Sequence, residues 1–261
     1  MENLTIIIPI HEFDDDVKKL FLRAIKSIPT NTRLLIVSNK DVVDNFNNDW
    51  FKGVDYKIIT SEDKTDFCTL VNLGAKNVET EWFSILEYDD EYLTQVFERN
   101  FKVYSEYKPE TSVFCFLEEL IDFNKKNFVG YGNEAPWATS FSNENGVIDF
   151  DCLENFFDFY LTGSVFNTKD WLSEGGLKPS IKVSFWYEFL LRLTNNSKKV
   201  YVIPKLGYKH YVNREDSLFD SYRKDIDEKE SEWYFQLAKT EYFYKNDRNK
   251  SYQENNEQEE D

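Results

Sequence analysis

Trp82-Phe83-Ser84-Ile85-Leu86-Glu87-Tyr88-Asp89-Asp90-Glu91 is the stretch on which the reading of this chain turns. An apolar run ends abruptly in a cluster of carboxylates. A short, nearly continuous apolar run is the pattern of a strand covered on both faces. The acidic residues that follow then sit at the carboxyl end of that strand. Open α/β sheets bind their ligands beyond those ends.

The same pattern recurs upstream. Leu4-Thr5-Ile6-Ile7-Ile8-Pro9-Ile10 is rich in β-branched residues and reads as a buried parallel strand. Asp14-Asp15-Asp16 can open a helix. Val17, Leu20, Phe21, Ala24, Ile25 and Ile28 continue it at helical spacing, and Pro29 stops it. Arg33 to Val37 is a second strand, Tyr56 to Ile59 a third, and residues 66–79 a helix leading into the run at Trp82. Strands alternating with helices predict right-handed crossovers and a mostly parallel sheet flanked by helices, an α/β fold.

Beyond the acidic cluster, Val96 to Tyr107 reads as an amphipathic helix, Val113 to Leu117 as a strand, Phe185 to Leu193 as a helix and Val200 to Ile203 as a strand. Residues 124–150, rich in Asn, Gly and Ser, read as loops. Residues 216–245 read as a C-terminal helical extension, and residues 246–261 as an acidic, disordered tail.

The 261 residues suffice for one sizeable core, and the formal charge of -17 opposes nucleic acid and anionic membrane surfaces alike. Cys68, Cys115 and Cys152 are widely spaced and form no C-x-x-C. A disulfide framework is therefore not expected, and a reducing compartment is. No run approaches the ~20 apolar residues of a membrane span, and the run from Leu4 lacks a basic n-region. The expectation is a cytoplasmic protein with no integral membrane segment.

An anionic ligand would need local positive charge to enter such a protein. Carboxylates at a strand end can supply it indirectly, by holding Mg2+ or Mn2+ together with the ligand's phosphates. The plain alternative for Glu87 to Glu91 is a solvated acidic turn that caps the next helix.

The order of these segments resembles the family 2 glycosyltransferases of the GT-A fold. Ile6-Ile7-Ile8-Pro9 and the helix ending Leu22-Arg23-Ala24-Ile25-Lys26-Ser27-Ile28 are similar to that family's first strand and helix. Asn72-Leu73-Gly74 resembles its Asn-x-Gly element, and Glu87-Tyr88-Asp89-Asp90 its D-x-D-D motif with Glu in first place. Thr162-Gly163-Ser164-Val165-Phe166, Glu174-Gly175-Gly176-Leu177 and Glu188 to Leu193 follow its acceptor-side order. The resemblance spans about residues 4–215.

The resemblance implies a Rossmann-like domain over residues 1–215, with a nucleotide-sugar half (1–95) and an acceptor half (96–215). It implies metal-dependent transfer of a sugar from a nucleotide-sugar donor to a glycan or other hydroxyl acceptor, with inversion. Pro9, Glu12, Ser38, Asn39, Asn72 and Glu87 would contact the donor. Asp89 would ligate Mn2+ or Mg2+, with Asp90 near the diphosphate and sugar and His210 completing the metal or diphosphate site.

Two departures from the family pattern bear on function. Ser38 and Asn39 stand where carboxylates often contact the base or ribose. Phe185 and Trp186 stand where a Glu-Asp pair commonly supplies the catalytic base. Glu188 is the nearest carboxylate and the candidate base. Its spacing to Arg192 equally suits an ordinary helical ion pair. The alternative function is a catalytically inactive GT-A-like module for sugar binding or assembly.

Overall fold

The computed structural model describes residues 1–62, 66–138 and 142–215, together with positions 217, 221, 222, 224, 232, 233 and 236. In chain order the elements are β1 (Leu4–Ile10), α1 (Asp15–Lys26), β2 (Arg33–Asn39), α2 (Lys40–Val43), β3 (Asp55–Ser61) and α3 (Phe67–Lys76). Next come β4 (Trp82–Ile85), β5 (Glu91–Tyr92), α4 (Thr94–Tyr107), β6 (Thr111–Asp122), β7 (Phe128–Gly132) and β8 (Val147–Ile148). The last are α5 (Phe150–Asn155), β9 (Val165–Asn167), α6 (Thr168–Ser173), α7 (Phe185–Asn195) and β10 (Lys199–Val212).

One sheet runs in the order β3-β2-β1-β4-β9-β6-β10-β5, with β7 on β6 and β8 on β10. The half from β3 to β4 is parallel throughout. Antiparallel β9 joins it to β6, and β6 pairs β10 in parallel.

Strand alternation divides the core into two layers. Ile6, Ile8 and Ile10 of β1 and Leu34 and Ile36 of β2 face Val17, Phe21, Ala24 and Ile25 of α1, and Phe97 and Phe101 of α4 share that layer. Ile7, Leu35 and Val37 face the opposite way, toward Leu70, Val71 and Ala75 of α3, in a layer that also takes in α7. Every residue of β1 is buried, as a strand between two helical layers must be.

Local chemistry fixes the helices. Asp14 caps α1 by accepting from the backbone N–H groups of Asp16 and Val17 at 2.9 and 2.8 Å, a contribution of about 1 kcal/mol. Asp66 caps α3 through the Thr69 N–H at 3.0 Å. Gly74 lets α3 settle onto the sheet: a Cβ there would lie 2.8 Å from Ile7 Cγ2 and 2.9 Å from Val37 Cγ2.

Two differences from the sequence expectations stand out. The strand expected over Val200 to Ile203 extends to Val212 despite Pro204 and Gly207, because register shifts between Ile203 and Tyr208 take up both residues. β6 likewise runs on to Asp122, and Phe128 to Gly132, expected as loop, folds back on it as β7. Of the expected C-terminal helical region, the described positions 221, 222, 224, 232, 233 and 236 are helical and 217 is not; the rest of 216–245 and the tail over 246–261 lie outside the described residues. Among the described residues, no helix is long and apolar enough to cross a membrane.

Candidate functional site

The turn that follows β4 is clamped from two sides. Arg23 of α1 donates to the Asp89 carbonyl oxygen and pairs with Glu91 Oε1 at 3.2 Å. Its guanidinium lies 4.1 Å from the centre of the Tyr211 ring. From β10, the Tyr211 N–H donates to Asp90 Oδ1 at 2.8 Å and the Tyr211 hydroxyl to Glu91 Oε1 at 2.7 Å. The acidic run is thus a fixed turn on the sheet, not a freely solvated one.

Behind the turn lies a buried charge cluster. His210 Nδ1 sits 3.2 Å from Glu118 Oε2. Asp90 is 1% exposed, and its Oδ2 has no hydrogen-bond partner among the described residues. Burial pushes the Asp90 carboxyl well above the usual range, against the pull of His210. Burial likewise moves Glu118 up to about 7, again opposed by His210. For His210 itself, burial disfavours the charge, but Asp90 and Glu118 outweigh it and carry its pKa up to about 10. His210 thus favours the ionised form of these acids, and they in turn favour its protonation.

In front of the turn a pocket opens at the carboxyl ends of β1 and β4. Pro9 and His11 line it on one side, and Glu87, Tyr88 and Asp89 on the other; Arg214, Phe67 and Ser217 complete the lining. Burial and the neighbouring Asp89 charge push Glu87 up to about 7. Arg214 Nε lies 3.1 Å from Asp89 Oδ2, and Arg214 Nη2 donates to the Tyr88 hydroxyl at 2.7 Å. The guanidinium also stands over the Tyr88 ring at 5.1 Å.

The structure brings together part of the residue set singled out from sequence. Pro9, Glu87 and Asp89 line the pocket. Glu12 is exposed beside it and accepts from the Tyr88 hydroxyl at 3.4 Å. Ser38 and Asn39 are buried at the end of β2 and donate to the carbonyls of Ile10 and His11 at 2.9 and 3.3 Å. Both side chains thereby hold the loop that leaves β1. Asp90 and His210 stand behind the turn.

Asn72 and Glu188 are engaged elsewhere. Asn72 exchanges two hydrogen bonds with the Leu177 backbone, at 2.7 and 2.8 Å. Gly176, at φ +71°, leaves room for it: a Cβ there would lie 2.2 Å from Asn72 Oδ1. Glu188 is 0% exposed. Its carboxylate takes Arg192 Nε at 3.1 Å and Nη2 at 2.7 Å, with Lys178 Nζ at 3.3 Å. Arg192 also donates to the carbonyls of Glu174 and Gly176. Asn72, Glu188 and Arg192 together fasten α3 and α7 to the Glu174–Leu177 turn. In this conformation the Glu188 oxygens face two cations rather than solvent.

Phe185 and Trp186 are aromatic packing. Their rings lie 5.7 and 6.3 Å from Phe67, an apolar residue of the pocket lining. Sequence reasoning passed over Arg23, Glu118 and Arg214. The first lies on a helix that reads only as amphipathic, the second in Leu117-Glu118-Glu119-Leu120, which reads as surface, and the third in a polar stretch after β10.

An Mg2+-type cation is held by one or two carboxylates, with phosphates and water completing its shell. Asp89 presents such a carboxylate at the pocket, already opposed to a cation. Among the described residues, no three His, Cys, Asp or Glu side chains are grouped to hold a metal on their own. The site fits a metal shared with a phosphate-bearing ligand.

No protein-family model matches this chain, and no curated protein matches it in sequence. Solved structures match it in fold. TarS 1-349 of S. aureus, in complex with UDP-GlcNAc, superposes with a TM-score of 0.68 at 13% identity, over 92% of this chain and 66% of that one. The mannosyltransferase PcManGT from Pyrobaculum calidifontis, in complex with GDP-Man and Mn2+, superposes with a TM-score of 0.61 at 10% identity, over 82% of this chain and 58% of that one. The chain thus spans just under two thirds of the first structure and less of the second. At these identities the likeness is one of fold: the chain has the GT-A-like α/β architecture of these neighbours.

Proposed function

We propose that this chain is a family 2-type glycosyltransferase that takes a nucleotide-sugar donor in the pocket between β1 and the Glu87–Asp90 turn. The observation that carries the reading is the position of Asp89. It stands in an immobilised acidic turn at the carboxyl end of a parallel strand, opposite Pro9, where this sheet class binds ligands. The fold neighbours solved with UDP-GlcNAc and with GDP-Man and Mn2+ support the ligand class.

In this reading Asp89 holds Mn2+ or Mg2+ together with the donor diphosphate. The metal, when bound, offsets the charge that builds on the leaving group. Glu87 lies on the diphosphate and sugar side, Asp90 supports the turn from behind, and Glu12 with the Ser38–Asn39 segment borders the nucleotide. His210 keeps the buried acids behind the turn neutralised, which preserves the turn's shape. The sugar passes from the diphosphate to a hydroxyl acceptor with inversion, and the hydroxyl's proton goes to a base, a role Glu188 could fill only by leaving Arg192 and Lys178.

Release of nucleoside diphosphate from a panel including UDP-GlcNAc and GDP-Man, with Mn2+ present, tests this reading. Asp89→Asn is expected to lower turnover by about a hundredfold or more, since it removes an electrostatic anchor of the leaving group. Turnover unchanged in a folded Asp89→Asn protein would contradict it.

A second reading is favoured by one observation. Inversion needs a proton acceptor at the acceptor hydroxyl. Phe185 and Trp186 cannot serve, and Glu188 is committed to Arg192 and Lys178. A donor-binding module without transfer activity would bind nucleotide yet release none from any donor.

A further inference from the structure

Arg214 holds an unusual position in the pocket. It lies just beyond β10 and reaches back to the turn after β4, where it is only 12% exposed. Its Nη2 is used by the Tyr88 hydroxyl, and the Tyr88 ring lies under the guanidinium. Its Nε is buried and, although 3.1 Å from Asp89 Oδ2, makes no hydrogen bond among the described residues. The contact with Asp89 is thus one of charge, with a donor left to spend. Arg214 is also the one permanently charged cation among the described residues lining the pocket.

We infer that Arg214 is a diphosphate-binding residue that trades partners: it neutralises Asp89 in the empty pocket and turns to the donor phosphates when they arrive, releasing Asp89 to the metal. The inference rests on the donor-site reading above. Its physical basis is competition for one carboxylate. A guanidinium and a divalent cation cannot both sit tightly on Asp89. A free metal must therefore displace Arg214, at the cost of leaving that cation partly buried and unpaired. A diphosphate removes the conflict, because planar guanidinium donors suit phosphate oxygens as well as carboxylate ones. Metal and nucleotide should then bind cooperatively, each making room for the other.

The test uses Arg214→Gln and Arg214→Lys in the full chain, with unfolding curves confirming that each folds. Two affinities are measured: Mn2+ alone, by paramagnetic resonance, and UDP and GDP without metal, by calorimetry. In Arg214→Gln, Mn2+ alone should bind several-fold more tightly. Metal-free nucleotide should bind about tenfold or more weakly, the loss expected for a charge-assisted phosphate contact. Arg214→Lys should recover part of the nucleotide affinity. If Arg214→Gln leaves both affinities as in the unmodified chain, or weakens Mn2+ binding, the partner exchange is wrong. If the unmodified chain binds no nucleoside diphosphate with or without Mn2+, the donor-site reading itself falls; this outcome is separate, because it appears before any variant is compared.

Discussion

Replacing Glu87 with Gln removes one titrating group and almost no volume, so its effect should depend on pH alone. Glu87 faces Asp89 and Glu118, which hold its proton on, and His210 and Arg214, which draw it off. Burial and Asp89 prevail and lift its pKa from 4.5 to about 7. A raised carboxyl pKa means that the ionised form is the one the folded state disfavours. Below about pH 4.5 both folded and unfolded chains keep the proton, and Glu87 costs nothing. As pH rises toward 7 the unfolded chain ionises first. Above 7 the cost is complete, at about 3 kcal/mol from the separation of the two pKa values. Glu87→Gln should therefore match the unmodified chain near pH 4.5 and exceed its stability near pH 8 by up to about 3 kcal/mol. Urea unfolding followed by tryptophan fluorescence at a series of pH values measures the difference. A gain that does not vary with pH, or a loss at pH 8, would refute the reasoning.

Two further substitutions probe the frame around the site. Gly74→Ala should gain about 1 kcal/mol of helix propensity but meet Ile7 and Val37 side chains at under 3 Å; overpacking of about 1–3 kcal/mol should win, and a raised melting temperature would show that α3 can shift off β1. Glu188→Ala removes the buried carboxylate that Arg192 and Lys178 share and should cost about 3–5 kcal/mol in a denaturant titration; a loss under 1 kcal/mol, the scale of an exposed pair, would mean that the carboxylate is not held as described.

The parallel half of the fold was open to sequence reading because its signals are local. Ile6-Ile7-Ile8 and Trp82 to Leu86 are unbroken apolar runs, and Asp14 announces its helix by position. The acidic turn was visible for the same reason. What escaped was long-range. Pro204 and Gly207 read as strand breakers, and only the paired strand β6 shows that register shifts absorb them. Glu118 and His210 are far apart in sequence and meet across adjacent strands, so neither reveals that the other neutralises it. Arg214 looks like part of a charged loop until the chain returns it to Asp89. The Asn72 amide meets the backbone of Leu177, which lies far along the chain and which no local motif announces.

The most direct test of the central claim is calorimetric binding of UDP, GDP, CDP and dTDP, each with and without Mn2+, to the unmodified chain and to Asp89→Ala. The account predicts that one nucleotide binds more tightly with Mn2+ and that Asp89→Ala abolishes this gain while the fold persists. Absence of binding for all four, or a metal effect that survives loss of the Asp89 carboxylate, would contradict it.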